Sequence, residues 1–440
     1  MSSPATSAHR RVPLPEGTVP VGVALLVAGC ATYAFFKIGK VALGGDAEFN
    51  PISSLWFATF ALAPGFFLPL EQELGRALAH RKALHEGGQP VVGRVVRLAI
   101  AIVVLVVLAM LALSAVITDA YFDGNWWMLA ALITAFVAYA PAHLARGICS
   151  GSGRFTSYAV VIGSDGIVRI TACVALALLG VTHTAPYAFS VALSPLVAVV
   201  AVGMRGQLVT EAGPPAPWNE VTQNLGWLLV GTVFSATLLN AGPVAAKLLA
   251  DDDQKDLVTQ FAYGVLLARI PLFLFQAVQA ALLPRLARLA ARGDFVEFRY
   301  GLRRLLVLVA VIGVIGTVGA LVLGAPIVDL VYGADLSGRT MAMLALSSAI
   351  YMGAIATAQA VVALHGHALV AFGWIFAVTA FLLTLWLGGD DLFRRIEIAL
   401  VASSLAALLS FSVALRRRLA SAEPARAGPV GPLPELPLET

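Results

Sequence analysis

One cation, Arg269, stands in the run QFAYGVLLARIPLFLFQAVQAALL of residues 260–283, which is apolar for long enough to cross a bilayer at roughly 20 residues per crossing. A charge at that depth costs several kcal/mol unless it faces a partner or a water-filled cavity. The planar fork of guanidinium donors suits phosphate oxygens. Gln276 lies seven residues on, almost on the same helical face, and Gln279 is partly offset from it. Lys37, Lys40 and Lys247, near the ends of other apolar runs, extend that candidate positive lining. Each has a competing role: the lysines can snorkel to the interface, and Arg269 can serve a structural ion pair or a backbone carbonyl. Asp165 and Arg169 are one helical turn apart and are expected to neutralise one another more than to touch a substrate.

No catalytic set accompanies these groups. His365-Gly-His367 is read as a short turn without further metal ligands, and Asp251–Asp253 as a solvated loop. Cys30, Cys149 and Cys173 form neither a disulfide framework nor a metal-like spacing. There is no Walker-type phosphate loop. The expectation is no cofactor, no metal and no enzyme.

The elements that must position the cations follow from composition. The chain is 59% hydrophobic and 12% charged, with mean hydropathy +0.86. Soluble domains carry about 25% charged residues, so this balance is that of an all-α polytopic membrane protein. A pI near 9.0 comes with no basic face interleaved with aromatics, so nucleic acid is not an expected partner.

Twelve spans are expected: one beginning near Val19, then about 53–70, 98–117, 126–145, 157–179, 186–204, 222–246, 258–283, 304–324, 340–364, 368–388 and 396–415. Leu68-Pro69 is expected to close the second span, ahead of the charged stretch Glu71–Lys82. Trp126-Trp127 suits the membrane interface. Gly313, Gly316 and Gly319 recur at helical spacing and are read as sites of close helix packing. Val27–Cys30 resembles a lipoprotein cleavage box, but the apolar run continues past it, so a chance match is the expectation. The organisation is then a polar lead-in 1–18, an N-lobe 19–204, a Pro-rich linker 205–221, a C-lobe 222–418 and a disordered tail 419–440.

Lys and Arg concentrate in the loops 71–97, 144–156, 205–221 and 283–304, whereas the alternate loops carry Asp251–Asp256, Asp329 with Asp335, and Asp390-Asp391, with Lys37, Lys40, Arg394 and Arg395 as exceptions near the outer side. Both termini are therefore expected in the cytosol, since positive loops stay inside. The two halves look alike, with Pro69 matching Pro284 and Lys40 matching Lys247. Parallel repeats of this kind place a substrate path between the halves.

LLPRLARLAARGDFVEF at Leu282–Phe298, with APIVDLVYG at Ala325–Gly333, resembles the MOP superfamily, and within it the polysaccharide flippases of the Wzx type. FLPLEQELGRALAHRKALHEGG after the second span is similar to actinobacterial members of that group. The resemblance covers essentially the whole chain through degenerate motifs. It implies two pseudo-symmetric six-helix lobes around a central cavity opening alternately to each side. It also implies a polyprenyl-diphosphate-linked oligosaccharide as substrate, moved from the cytosolic to the outer leaflet of the plasma membrane. Glycosyltransferases and a polysaccharide polymerase are the implied partners.

Drug-exporting relatives commonly couple to ions through a carboxylate in the first span, and none is present there. An inside-negative potential favours outward movement of an anion by about 2.3 kcal/mol per charge per 100 mV, or some 4–5 kcal/mol for a diphosphate. The alternatives are a MATE-like or major-facilitator exporter and, in another class, a membrane-embedded glycosyltransferase. GRALAHRK at Gly75–Lys82 lacks the Asp and second Gly of the major-facilitator loop, and the outward acidic residues lack supporting chemistry for an enzyme.

Overall fold

A computed structural model describes residues 18–272, 275, 286, 288–290 and 292–422, and all regular structure among them is helical. Among the described residues, eleven helices are long and apolar enough to cross a membrane. The first half contains α1 (Thr18–Leu43), α2 (Asp46–Ala83), α3 (Gln89–Ala112), α4 (Ser114–Tyr121), α5 (Trp126–Gly151), α6 (Phe155–Leu178) and α7 (Thr184–Met204). The second contains α8 (Asn219–Thr222), α9 (Leu225–Leu249), α10 (Lys255–Ala268), α11 (Phe295–Tyr332), α12 (Gly338–Ala363), α13 (His367–Leu387) and α14 (Leu392–Ala422). The eighth expected span, 258–283, is helical over α10 and lies mostly outside the described residues beyond Leu272.

Each half folds into a lobe with one packing scheme. In the first, α1 lies along α6, α2 along α5, and α7 against both α5 and α6. In the second, α9 lies along α13, α10 along α12, and α14 against both α12 and α13. The lobes meet chiefly where α2 crosses α9 and α10. One difference is local. The third span bends at Leu113, between α3 and α4, while its counterpart α11 runs unbroken for 38 residues.

The second span does not stop at Leu68-Pro69. α2 holds Pro51, Pro64 and Pro69 inside one 38-residue helix and continues to Ala83. Proline removes the N–H that would pair with the carbonyl four residues back, which for Pro69 is that of Gly65. Thr232 Oγ1 of α9 donates to that oxygen at 2.8 Å, so the helix survives its proline with help from the other lobe. Glu71–Lys82 is thus helix rather than loop, and Glu71, Glu73 and Arg81 are buried. The Pro-rich stretch before α8 is likewise bound: Arg81 donates from Nε and Nη2 to the Glu220 carboxylate at 2.7 and 2.9 Å, and from Nη1 to the Pro214 carbonyl at 2.8 Å. The Arg94 guanidinium covers the Trp218 ring at 4.3 Å.

Small residues permit close helix approach at different places from those expected. A Cβ on Gly151 of α5 would fall 2.7 Å from the Gly75 carbonyl oxygen of α2. Within the Gly313, Gly316 and Gly319 series, only Gly313 meets a neighbour, Ala349 Cβ at 2.7 Å; the other two have open space. Gly151→Leu is therefore expected to cost about 1–3 kcal/mol by overpacking, lowering the thermal midpoint in detergent. Gly316→Ala should leave the midpoint unchanged or raise it, since alanine is the better helix former. Equal midpoints for both variants and wild type would contradict the α2–α5 contact.

Candidate functional site

Arg269 is the residue that closes α10, with Pro271 two positions on, where a helix cannot keep its ladder. Its side chain is buried, with 9% of its surface left exposed. Nη2 donates to the Leu239 carbonyl and Nη1 to Asn240 Oδ1 at 3.3 Å, both on α9. The Leu239 carbonyl is the one that Pro243 leaves without its helical N–H. The guanidinium also stands 5.6 Å from the centre of the Phe57 ring on α2, so it touches both lobes. Among the described residues no carboxylate lies within ion-pair distance of it. It borders a small cavity of about 30 Å³ whose lining is mostly apolar, Leu238, Val265 and Leu344 among it, with Ser347, Ser348, Tyr351 and Ser404 as the other polar groups. A guanidinium carries five N–H donors, and two bonds to α9 leave others for an anion.

The remaining candidates are not gathered around Arg269. Gln276 and Gln279 lie outside the described residues. Arg169, 2% exposed, pairs with Asp165 at 3.5 Å and packs its guanidinium 4.4 Å from the Trp56 ring. Asp165 also accepts from Ser194 Oγ at 2.5 Å and Tyr139 Oη at 3.3 Å, so one cluster joins α2, α5, α6 and α7 inside the first lobe. Lys40 pairs with Asp46 at 2.9 Å and donates to the Tyr332 carbonyl at 2.6 Å. Lys247 pairs with Asp123 at 2.7 Å. Lys37 is half-buried on α1. Lys40, Lys247 and Arg169 are thus each held by a carboxylate, since an unpaired charge at these depths would cost several kcal/mol, and the Asp165–Arg169 pair is the neutralising one expected from their spacing.

What these pairs do is join the lobes at one end of the bundle. Asp46 accepts from Tyr263 Oη at 2.9 Å, and Asn50 Nδ2 donates to Thr259 Oγ1 at 3.1 Å, so α2 is fastened to α10. Tyr33 Oη of α1 donates to the Leu266 carbonyl at 3.0 Å, and Tyr263 stacks on Tyr332 with ring centres 4.3 Å apart. On the opposite flank, Asp123 reaches Lys247 and, at 3.5 Å, Lys255. Two clasps thus close the Lys40 end.

At the other end, Glu71 accepts from Arg146 Nε at 3.0 Å and Tyr158 Oη at 3.0 Å, with His143 Nδ1 at 2.8 Å. The sequence reading missed this network and both clasp aspartates. Their available signal was position, a charge within a few residues of a span end, which does not say which helix it meets.

The small cavity at Arg269 lies inside the second lobe, among α9, α10, α12 and α14. Between the lobes there is instead an apolar groove of about 860 Å³, walled by α2, α3 and α4 on one side and α9 and α13 on the other, with no charged residue in its lining.

The bundle of two like lobes, clasped at one end, is a fold that solved MATE transporters share. They include an aspartate-to-asparagine variant of the Vibrio cholerae transporter VcmN, at TM-score 0.66 and 15% identity over 92% of this chain and 97% of that one. A MATE transporter in the bent conformation gives 0.67 and 13%, over 93% and 96%. An inward-facing multidrug resistance MATE family transporter of the MOP superfamily gives 0.66 and 13%, over 92% and 96%. These likenesses show the fold. No protein-family model and no curated protein sequence matches the chain.

The clasp analysis makes one prediction. In a background where the three native cysteines are replaced, a thiol placed by Thr259→Cys should react slowly with a bulky water-soluble maleimide, since Thr259 is fully buried. Adding Asp46→Ala should raise that rate several-fold in the detergent-solubilised protein. An unchanged rate would show that Asp46 does not hold this end shut.

Proposed function

We propose that the chain flips a polyprenyl-diphosphate-linked oligosaccharide from the cytosolic to the outer leaflet of the plasma membrane by alternating access, with both termini in the cytosol. The observation that carries this reading is Arg269: a buried cation with no carboxylate at ion-pair distance among the described residues, bordering a small, largely apolar cavity into which Ser347, Ser348, Tyr351 and Ser404 also project. Such a site favours an anion, and hydroxyls suit a sugar's hydrogen-bonding needs. At about 30 Å³ the cavity has room for a water or two. A headgroup therefore enters only when the helices around it part. With the basic loops in the cytosol, the Lys40 end faces outward and is the end closed here. The absence of any Asp or Glu from α1 supports drive by membrane potential over coupling through that helix. Enzymes that build and polymerise the sugar are the partners this role calls for.

A second reading, export of small molecules in the manner of a MATE transporter, is favoured by the multidrug resistance transporter among the structural neighbours and by the half-buried carboxylate of Asp165 inside the first lobe. The two readings separate in one assay. Proteoliposomes holding the full chain are scored for leaflet exposure of a lipid-linked sugar and, in parallel, for uptake of a cationic dye. Arg269→Gln keeps an amide donor for the Leu239 carbonyl and removes the charge, so the fold should hold while sugar translocation falls by about tenfold or more, equivalent to about 1.4 kcal/mol. Wild-type translocation in that variant would remove Arg269 from the mechanism, and dye movement without sugar movement would favour the exporter.

A further inference from the structure

The groove between the lobes is the largest feature that the reading above leaves unused. Its lining includes Leu105 and Ala109 of α3, Leu113 at the bend, Leu238 and Ala241 of α9 and Leu385 of α13. The polar groups on its wall are few: Thr237, and Tyr121, whose hydroxyl is already donated to the Ser54 carbonyl at 2.9 Å. Water needs two to four polar partners to occupy a site, so a volume of about 860 Å³ with this lining is not a water cavity. Leu105 and Leu113 leave more than half of their surface exposed, so the groove opens sideways into the bilayer. Toward the Lys40 end, Asp123, two residues beyond α4, and Lys247 of α9 join across the lobes. An occupant therefore arrives laterally from lipid.

We infer that this groove holds the isoprenoid chain of the transported lipid while its phosphorylated headgroup is engaged on the other side of α9. This deepens the flippase reading and rests on it. The placement is what selects the substrate's own chain over a bystander: Leu238 lines both the groove and the small cavity that Arg269 borders, so a single helix separates the two. An amphiphile straddling α9 would place its anion beside Arg269 and its chain against Leu238 and Ala241. Leu113, where α3 gives way to α4, is itself in the lining of the groove.

The full chain in nanodiscs is labelled with a polyprenyl diphosphate carrying a diazirine at the far end of its chain, and with a phospholipid carrying the same diazirine. The expected result is saturable labelling of residues 105–121 and 237–249 by the polyprenyl probe, competed by unlabelled polyprenyl diphosphate and not by excess phospholipid. Ala109→Phe fills the groove from an exposed position, so folding is not at stake. It should cut that labelling by about tenfold, as expected for losing the burial of two or so methylene groups. Ala101→Phe, on α3 but outside the groove, should not. Equal, unsaturable labelling by both probes would make the groove an ordinary lipid slot and overturn the assignment. Saturable labelling elsewhere, indifferent to Ala109→Phe, would overturn it while leaving the flippase reading intact. Absence of any saturable labelling would overturn both.

Discussion

Hydrocarbon offers no hydrogen bonds, so each main-chain carbonyl released inside the bilayer needs a partner from the protein. This chain releases them deliberately, with prolines inside its helices. Pro69 frees the Gly65 carbonyl and Thr232 takes it at 2.8 Å; Pro243 frees that of Leu239 and Arg269 takes it. Both repairs come from a different helix, and one crosses between the lobes. Leaving either of them unmade would cost on the order of 1–3 kcal/mol. The lobes are thus joined where their helices are weakest as helices.

The same constraint explains why Arg269 is tolerable without a carboxylate. Its charge is spread over a backbone oxygen, the Asn240 side-chain oxygen and the face of Phe57. Those are dipoles and a quadrupole rather than a counter-charge, so they hold the cation without neutralising it. Asp165 holds Arg169 quite differently, charge against charge at 3.5 Å. A cation solvated by dipoles keeps its appetite for an anion; a paired one does not. That difference ranks the candidate cations, and no count of arginines and lysines could have supplied it.

The all-helical, many-span class and the likeness of the halves were legible in the sequence because both rest on long apolar runs and on charge at their ends, which are local properties. The pairing of Asp165 with Arg169 was legible for the same reason, since residues four apart on a helix are neighbours. The end of α2 was not. Leu68-Pro69 has the look of a terminus, and the partner that lets the helix continue, Thr232, is 163 residues away from Pro69 and invisible to any window along the chain. Lys40 and Lys247 were recognisable as cations near span ends, but Asp46 and Asp123, which hold them, become partners only once the connecting turns are folded. Gly316 and Gly319 show the opposite error: the spacing suits close packing, yet that face of α11 meets open space.

Pseudo-symmetry makes the departures from it informative. If both halves followed one plan, the third span of each would be one unbroken helix, as α11 is for 38 residues. The bend at Leu113 breaks the plan in the first half alone, and there the interlobe space widens into an apolar groove. The small cavity with the buried cation is in the second half alone, where Arg269 ends α10. Under the proposed reading, a substrate with one charged end and one apolar end has no use for two identical half-sites. The groove walled by both lobes would then take its apolar end and the cavity of the second lobe its charged end, with α9 standing between them.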